Sequence, residues 1–267
     1  MNYKILVFIL FSFISLKSFS QDAEKEINIV ENKYKVNTAF QPGEELIYDL
    51  KYGVVKGGEL KINVGLQQIG FDYYFHVVAI CYSTGVVSKF AHIYDIYESI
   101  FDITTGYPLQ AVRNVTENNY KRYNTDTFCQ DSSVIYSMKS GRHEVPLHTF
   151  DIISAFFYSR RFIFDKKYQK NEEMPLHTWF NERLYLVKLK YKKTEIIKTD
   201  FGKIECLKFV PVLDDKSVFK KEDDLEAWFT NDANYVPVKI KIDMPIASIR
   251  CQLIKYKNLK NNDGYLK

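Results

Sequence analysis

Apolar residues recur at every second position along most of this chain, and that period admits essentially one kind of structure, a half-buried strand. Leu60, Ile62, Val64 and Leu66 face one way, with Lys61 and Asn63 on the other side. Tyr185, Val187, Leu189 and Tyr191 alternate with Lys188, Lys190 and Lys192, and Val236, Val238, Ile240 and Ile242 alternate with Lys239 and Lys241. Ile249, Cys251 and Leu253 close the series. Phe71–Ser83 is apolar on both faces, as in a central strand, and His92–Ile103, Leu109–Val115, Tyr120–Cys129, Val134–Lys139, Ile204–Val212 and Leu225–Thr230 read as further strands. Thr104-Thr105-Gly106, Gln130-Asp131-Ser132 and Asn231-Asp232-Ala233-Asn234 are turn signals between them. Strands joined by tight turns, with no βαβ rhythm, predict an antiparallel arrangement. The 16% aromatic content, 20 Tyr and 20 Phe, agrees, because these side chains suit a pleated surface.

One segment breaks the period. Thr149–Phe164 shows no alternation and holds no Gly or Pro, while Ile152, Ile153, Phe156 and Phe157 cover most of a helical circumference. Thr149 is placed to cap such a helix, with Asp151 in its first turn. The expected fold is therefore mainly β: an antiparallel curved sheet, or an open barrel or sandwich, with one buried helix at about 149–162. The β-rich domain is expected over 39–260, as one body or as two lobes, 39–147 and 163–260, joined by the helix, with a polar tail at 261–267.

The N-terminus says where such a domain works. Lys4 precedes an apolar run from Ile5 to Leu16, and Ser18 and Ser20 supply the small residues a signal peptidase reads. Residues 1–20 read as a secretory signal cleaved near Ser20-Gln21, and 21–38 as a polar leader. The apolar run is too short to span a bilayer, so no transmembrane segment is expected and the mature protein is periplasmic or secreted. Loss of Lys4 and Lys17 with the signal lowers the formal net charge from +4 to +2, too near neutral to argue for nucleic acid. Export permits disulfides among Cys81, Cys129, Cys206 and Cys251, with Cys206–Cys251 the first pair to consider. Each cysteine sits in a strand-like run, however, where a thiol serves as a small hydrophobe.

No motif marks an active site. His76, His92, His143, His148 and His177 show no metal-ligand spacing, and there is no nucleophile elbow or phosphate-cradling glycine loop. Neither metal nor cofactor is expected, and no enzymatic activity. The residues that call for a reason are the charges inside apolar runs: Asp95, Glu98, Arg113, Glu117, Asp151 and Arg160. A buried charge needs a partner, so these six are expected to converge. They form either the polar wall of a ligand cavity, with Arg113 and Arg160 gripping an anionic head group, or ion pairs that fix the helix to the sheet.

The same segments resemble a known family. Phe40-Gln41-Pro42-Gly43-Glu44-Glu45-Leu46-Ile47-Tyr48 with Lys51-Tyr52-Gly53 carry the resemblance, as do Tyr94-Asp95-Ile96-Tyr97-Glu98-Ser99, Pro108-Leu109 with Arg113, and Asp151-Ile152-Ile153-Ser154-Ala155 through Arg160. Gly202-Lys203 through Cys206 with Pro211, and Trp228-Phe229-Thr230-Asn231-Asp232-Ala233-Asn234 with Pro237, complete it. Over about residues 39–257 the chain is similar to the bacterial envelope family called domain of unknown function 3108. The resemblance implies an exported β-rich domain and carries over no catalytic residues. An open sheet plugged by a helix would look like the carriers of lipoproteins in the periplasm. The expected function is non-enzymatic binding of an apolar or amphipathic ligand, a lipid or glycolipid. The alternatives are a structural or assembly factor docking another envelope protein or a surface polymer, and, last, a hydrolase with an unmarked site.

Overall fold

The computed structural model describes residues 36–162, 168–213, 224–243 and 248–266. The signal segment, its cleavage point and the leader up to residue 35 lie outside the described residues, as do 163 and 164 at the end of the expected helical run.

Among the described residues the chain forms β1 (Glu45–Tyr52), β2 (Val55–Ile69), β3 (Asp72–Ser83), β4 (Ile93–Asp102), β5 (Pro108–Glu117), β6 (Tyr120–Cys129), β7 (Val134–Ser137), β8 (Gly141–Glu144) and β9 (Phe150–Asp151). Helix α1 (Ile152–Phe162) follows, then β10 (Glu173–Phe180), β11 (Arg183–Thr199), β12 (Gly202–Leu213), β13 (Leu225–Thr230), β14 (Pro237–Ile242) and β15 (Ile249–Lys257). The strands make one 15-stranded sheet in the order β8-β7-β6-β5-β4-β3-β2-β1-β15-β14-β13-β12-β11-β10-β9. Every strand lies beside its neighbour in sequence, and β1 pairs antiparallel with β15, so the order is cyclic except between β8 and β9. The sheet is a long meander left open at one of its own connections. Among the described strands only the short β9 pairs in parallel, with β10.

The alternation expected from the sequence decides which face is covered. Leu60, Ile62 and Val64 on β2, Phe75, Val77, Ala79 and Cys81 on β3, Tyr97 and Phe101 on β4, and Cys251 and Leu253 on β15 are buried in one cluster. Leu66 shares their parity but is 46% exposed, because β2 and β3 run on past the end of the core. The four cysteines are free thiols, so the Cys206–Cys251 pair does not form. Burial pushes the Cys81 and Cys206 thiols up to about 12, which keeps them protonated and unreactive.

Helix α1 packs against this cluster. Phe157, fully buried, sets its ring 4.8 Å from Phe40 and 6.0 Å from Phe101, centroid to centroid. The helix starts three residues later than the sequence predicts. Phe150 and Asp151 pair with Thr178 and Trp179 of β10, which takes them out of the first turn. The cap is therefore Asp151 rather than Thr149: its Oδ1 accepts from the N–H groups of Ile153 (2.8 Å) and Ser154 (3.1 Å). The Asp151 N–H in turn donates to Ser154 Oγ at 3.0 Å, closing a reciprocal capping box.

The two ends of the sheet meet through side chains. Phe128 and Ile135, on β6 and β7, share a buried cluster with Trp179 of β10, and the His143 and Trp179 rings lie 4.8 Å apart. The β10–β11 turn reaches across the same seam. Asn181 (φ 54°) and Glu182 (φ 58°) are both left-handed, the backbone of a two-residue hairpin loop that usually takes glycine second. Asn181 Oδ1 accepts from Arg113 of β5 at 2.7 Å, and Glu182 pairs with Arg122 of β6. At the other end of the chain, Asn37 Oδ1 accepts from the Ala39 and Phe40 N–H groups, and Leu259 and Leu266 are buried in the main cluster.

Candidate functional site

The six charged residues divide into three places. Strand parity explains the first division. Asp95, Tyr97 and Ser99 point to the covered face of β4, in register with Val115, Arg113 and Ala111 of β5. Glu98, one position out of phase, points the other way and meets His76 Nε2 at 2.8 Å. On the covered face, Arg113 lies over the rings of Phe180 and Tyr97, 5.1 and 5.9 Å from their centroids. Asp95 and Glu117 are held above the usual carboxylate range, Asp95 at about 7, chiefly by burial. The Glu117 charge adds to the rise at Asp95, while the Thr116 N–H and the Arg113 guanidinium oppose it. Asp151 joins this group across the sheet end: Ser99 donates to its Oδ2 at 2.6 Å, and burial raises its pKa although the hydrogen bonds offset part of that.

Arg160 stands apart, spent on a partner the sequence did not single out. It is fully buried and grips Glu44 with both ends of its fork, Nη1 to Oε1 at 2.6 Å and Nη2 to Oε2 at 3.1 Å. Nη2 and Nε also donate to the Asn234 carbonyl at 2.9 and 3.3 Å, and Nη2 to that of Ala39 at 3.3 Å. Each of the three guanidinium nitrogens has a protein acceptor, so Arg160 ties the helix to the start of β1 and to the β13–β14 turn. The guanidinium is enclosed in the core and lines neither cavity described below, which takes it away from the head-group role expected for it.

Two cavities adjoin these groups. The smaller, about 40 Å³, lies at the seam and is lined by Arg113, Asn124, Asp126, Asp151, Asn181 and Glu182 among others. It has room for one or a few waters. The larger, about 250 Å³ and open on one side, lies where β3 and β4 meet the segment before β1. Val36, Phe40, Pro42, Phe75 and Ile103 give it apolar walls, and Asn37, Gln41, Thr104 and Lys260 line the rest. Among the described residues no group of three His, Cys, Asp or Glu side chains is set as a metal would need, and no helix is long and apolar enough to cross a membrane.

Asp95 gives the covered face a pH dependence. Its folded pKa, about 7, lies above its ordinary 3.8, so its proton is held more tightly in the folded state. The contribution is present below about pH 4 and is lost as pH rises through about 7. Urea unfolding at pH 5 and pH 8 should show the wild type losing on the order of 1–3 kcal/mol relative to Asp95→Asn, which has no proton to lose. Parallel pH profiles for the two proteins would refute this assignment.

Comparison with known proteins gives fold and family. The structure is similar to a β-barrel-like protein of domain of unknown function DUF1849 from Brucella abortus, with a TM-score of 0.55 at 12% identity over 81% of this chain and 97% of that one. Weaker likenesses are to a lipoprotein candidate from Parabacteroides distasonis, TM-score 0.33 at 10% identity, covering 85% of this chain and 100% of that one. A Bacteroides fragilis protein with a YmcC-like fold gives 0.31 at 10% identity, over 84% and 100% of the two chains. No curated protein matches the sequence. The model of the family described as protein of unknown function (DUF3108) matches residues 47–254, from the middle of β1 into β15, and this chain belongs to that family.

Proposed function

We propose that this is an exported, non-catalytic binding protein that holds an apolar or amphipathic ligand, a lipid or glycolipid, in the 250 Å³ cleft. One observation carries the reading: Phe40, Phe75, Ile103, Pro42 and Val36 line an open cleft that the core does not fill. Apolar walls with a few polar groups are what a pocket for such ligands offers, although typical ligand pockets run to roughly 300–1,000 Å³. The cleft therefore suits one chain or one end of a larger molecule. Export rests on the apolar segment Ile5–Leu16 followed by Ser18 and Ser20.

The test is mass spectrometry of organic extracts from protein purified out of its native envelope, beside a Phe75→Glu variant. An amphiphile present in near-stoichiometric amount in the wild type, and lost from a folded Phe75→Glu protein, is the expected result. Folded wild type that yields no extractable molecule, and that takes up no apolar fluorescent probe, would refute it. A second reading, docking of another envelope protein, draws on Val54, Phe71 and Phe90, which stand 95%, 100% and 73% exposed on loops.

A further inference from the structure

Two adjacent arginines on α1 are both buried, and they are satisfied very differently. Arg160 donates from all three guanidinium nitrogens, to Glu44 and two carbonyls. Arg161, 2% exposed, donates from Nη1 to the Thr104 carbonyl at 3.0 Å, while Nε and Nη2 are buried with no acceptor among the described residues. Those two nitrogens form one edge of the guanidinium, the side-on fork that takes an oxyanion through two parallel N–H bonds. Asp102, a carboxylate whose charge it feels, makes no ion pair with it and accepts on Oδ1 from the Thr104 and Thr105 N–H groups.

Arg161 does not itself line the open cleft but lies directly behind residues that do. Its guanidinium carbon lies 5.5 Å from the centre of the Phe40 ring and 5.9 Å from that of Phe75, and both rings line the cleft. Thr104, which accepts from it, lines the cleft too, as does Lys260, whose ammonium is close enough to feel the Arg161 charge. Gly106 fixes the guanidinium from the other side: a Cβ there would come within 3.2 Å of Arg161 Cζ and Nη1. Burial lowers the Arg161 pKa only to about 10, so the fork stays cationic at neutral pH.

We infer that the cleft takes its ligand by an anionic end, a carboxylate or phosphate monoester carried on an alkyl chain. The oxygens reach Nε and Nη2 of Arg161 beside Lys260 by parting the Phe40 and Phe75 rings that lie against the guanidinium, and the chain lies along the apolar wall that these rings share with Ile103. This rests on the ligand-binding reading of the same cleft, and it moves the head-group role from Arg160 to the residue after it.

Calorimetric titration of the delipidated mature protein at pH 8 with laurate, dodecyl phosphate, dodecanol and inorganic phosphate tests the assignment. The expected result is that laurate or dodecyl phosphate binds about tenfold or more tighter than dodecanol, the range of a charge-assisted fork. Arg161→Met should erase that preference while leaving dodecanol binding in place. Dodecanol binding as tightly as both anions would overturn the head-group assignment and leave the cleft reading standing. No binding of any twelve-carbon probe would remove both. Inorganic phosphate binding more tightly than dodecyl phosphate would overturn the proposal in favour of a free-anion site. The wild-type comparison decides the matter even if Arg161→Met fails to fold.

Discussion

Glu44→Ala should cost about 3–5 kcal/mol of folding stability, the range for removing one partner of a buried ion pair. Glu44 and Arg160 are both fully enclosed, and alanine at 44 would leave a cation in the core with only the Asn234 and Ala39 carbonyls to face. Most of the loss is the cost of that stranded charge rather than the worth of the pair. A double variant, Glu44→Met with Arg160→Met, should therefore be no less stable than Glu44→Ala alone, although it carries twice the number of changes. Urea denaturation with a common slope measures both. A loss below about 1 kcal/mol for Glu44→Ala would show that water reaches the pair and that it is not the tie described above.

Phe157→Ala is the second large effect, about 3–5 kcal/mol for emptying a buried aromatic site. Phe157 is in ring contact with Phe40, Phe101 and Phe156, and the Arg160 guanidinium sits 5.3 Å from the centre of its ring. These neighbours come from the segment before β1, from β4 and from α1 itself, so they cannot close together over the space without moving separate elements. The exposed Lys121→Ala serves as a control and should change stability by less than about 0.5 kcal/mol. A Phe157→Ala protein as stable as that control would mean that the helix is not part of the core.

The sheet was legible because its signal is local. A strand with one covered face writes a two-residue period into the chain, as β2 and β3 do, and turn signals bound other strands, so that β6 and β13 span the expected Tyr120–Cys129 and Leu225–Thr230. Strands without the signal escaped. In β10, Pro175 interrupts the run and Glu173 and His177 blur it, while β8 (Gly141–Glu144) has no buried residue and β9 is two residues long. The same parity could have sorted the charged set. Asp95 shares the phase of Tyr97 and Ser99, whereas Glu98 does not, and the two carboxylates accordingly lie on opposite faces.

Partners brought together by the fold left no such trace. Glu44 meets Arg160 across 116 residues, and nothing near Glu44 in the sequence marks it as buried. Arg161 was missed for a related reason. On a helix, adjacent residues point about 100° apart, so an Arg-Arg pair reads as one residue facing in and one facing solvent. Here the segment before β1 and the β4–β5 turn cover the second arginine as well.

The pairing of β1 with β15 governs the order in which this protein can assemble. Strands β1 to β8 form one run of hairpins and β10 to β15 another, each built from contacts between sequence neighbours that close quickly. The two runs are joined by strands from opposite ends of the chain, whose meeting carries a larger loop-closure cost. Until that meeting, β1 and β15 are both bare edges, long and apolar on one face, which is the form of strand most prone to pair with another molecule. β15 is thus the strand that shields β1, and the chain stays exposed to aggregation until Ile249–Lys257 is in place.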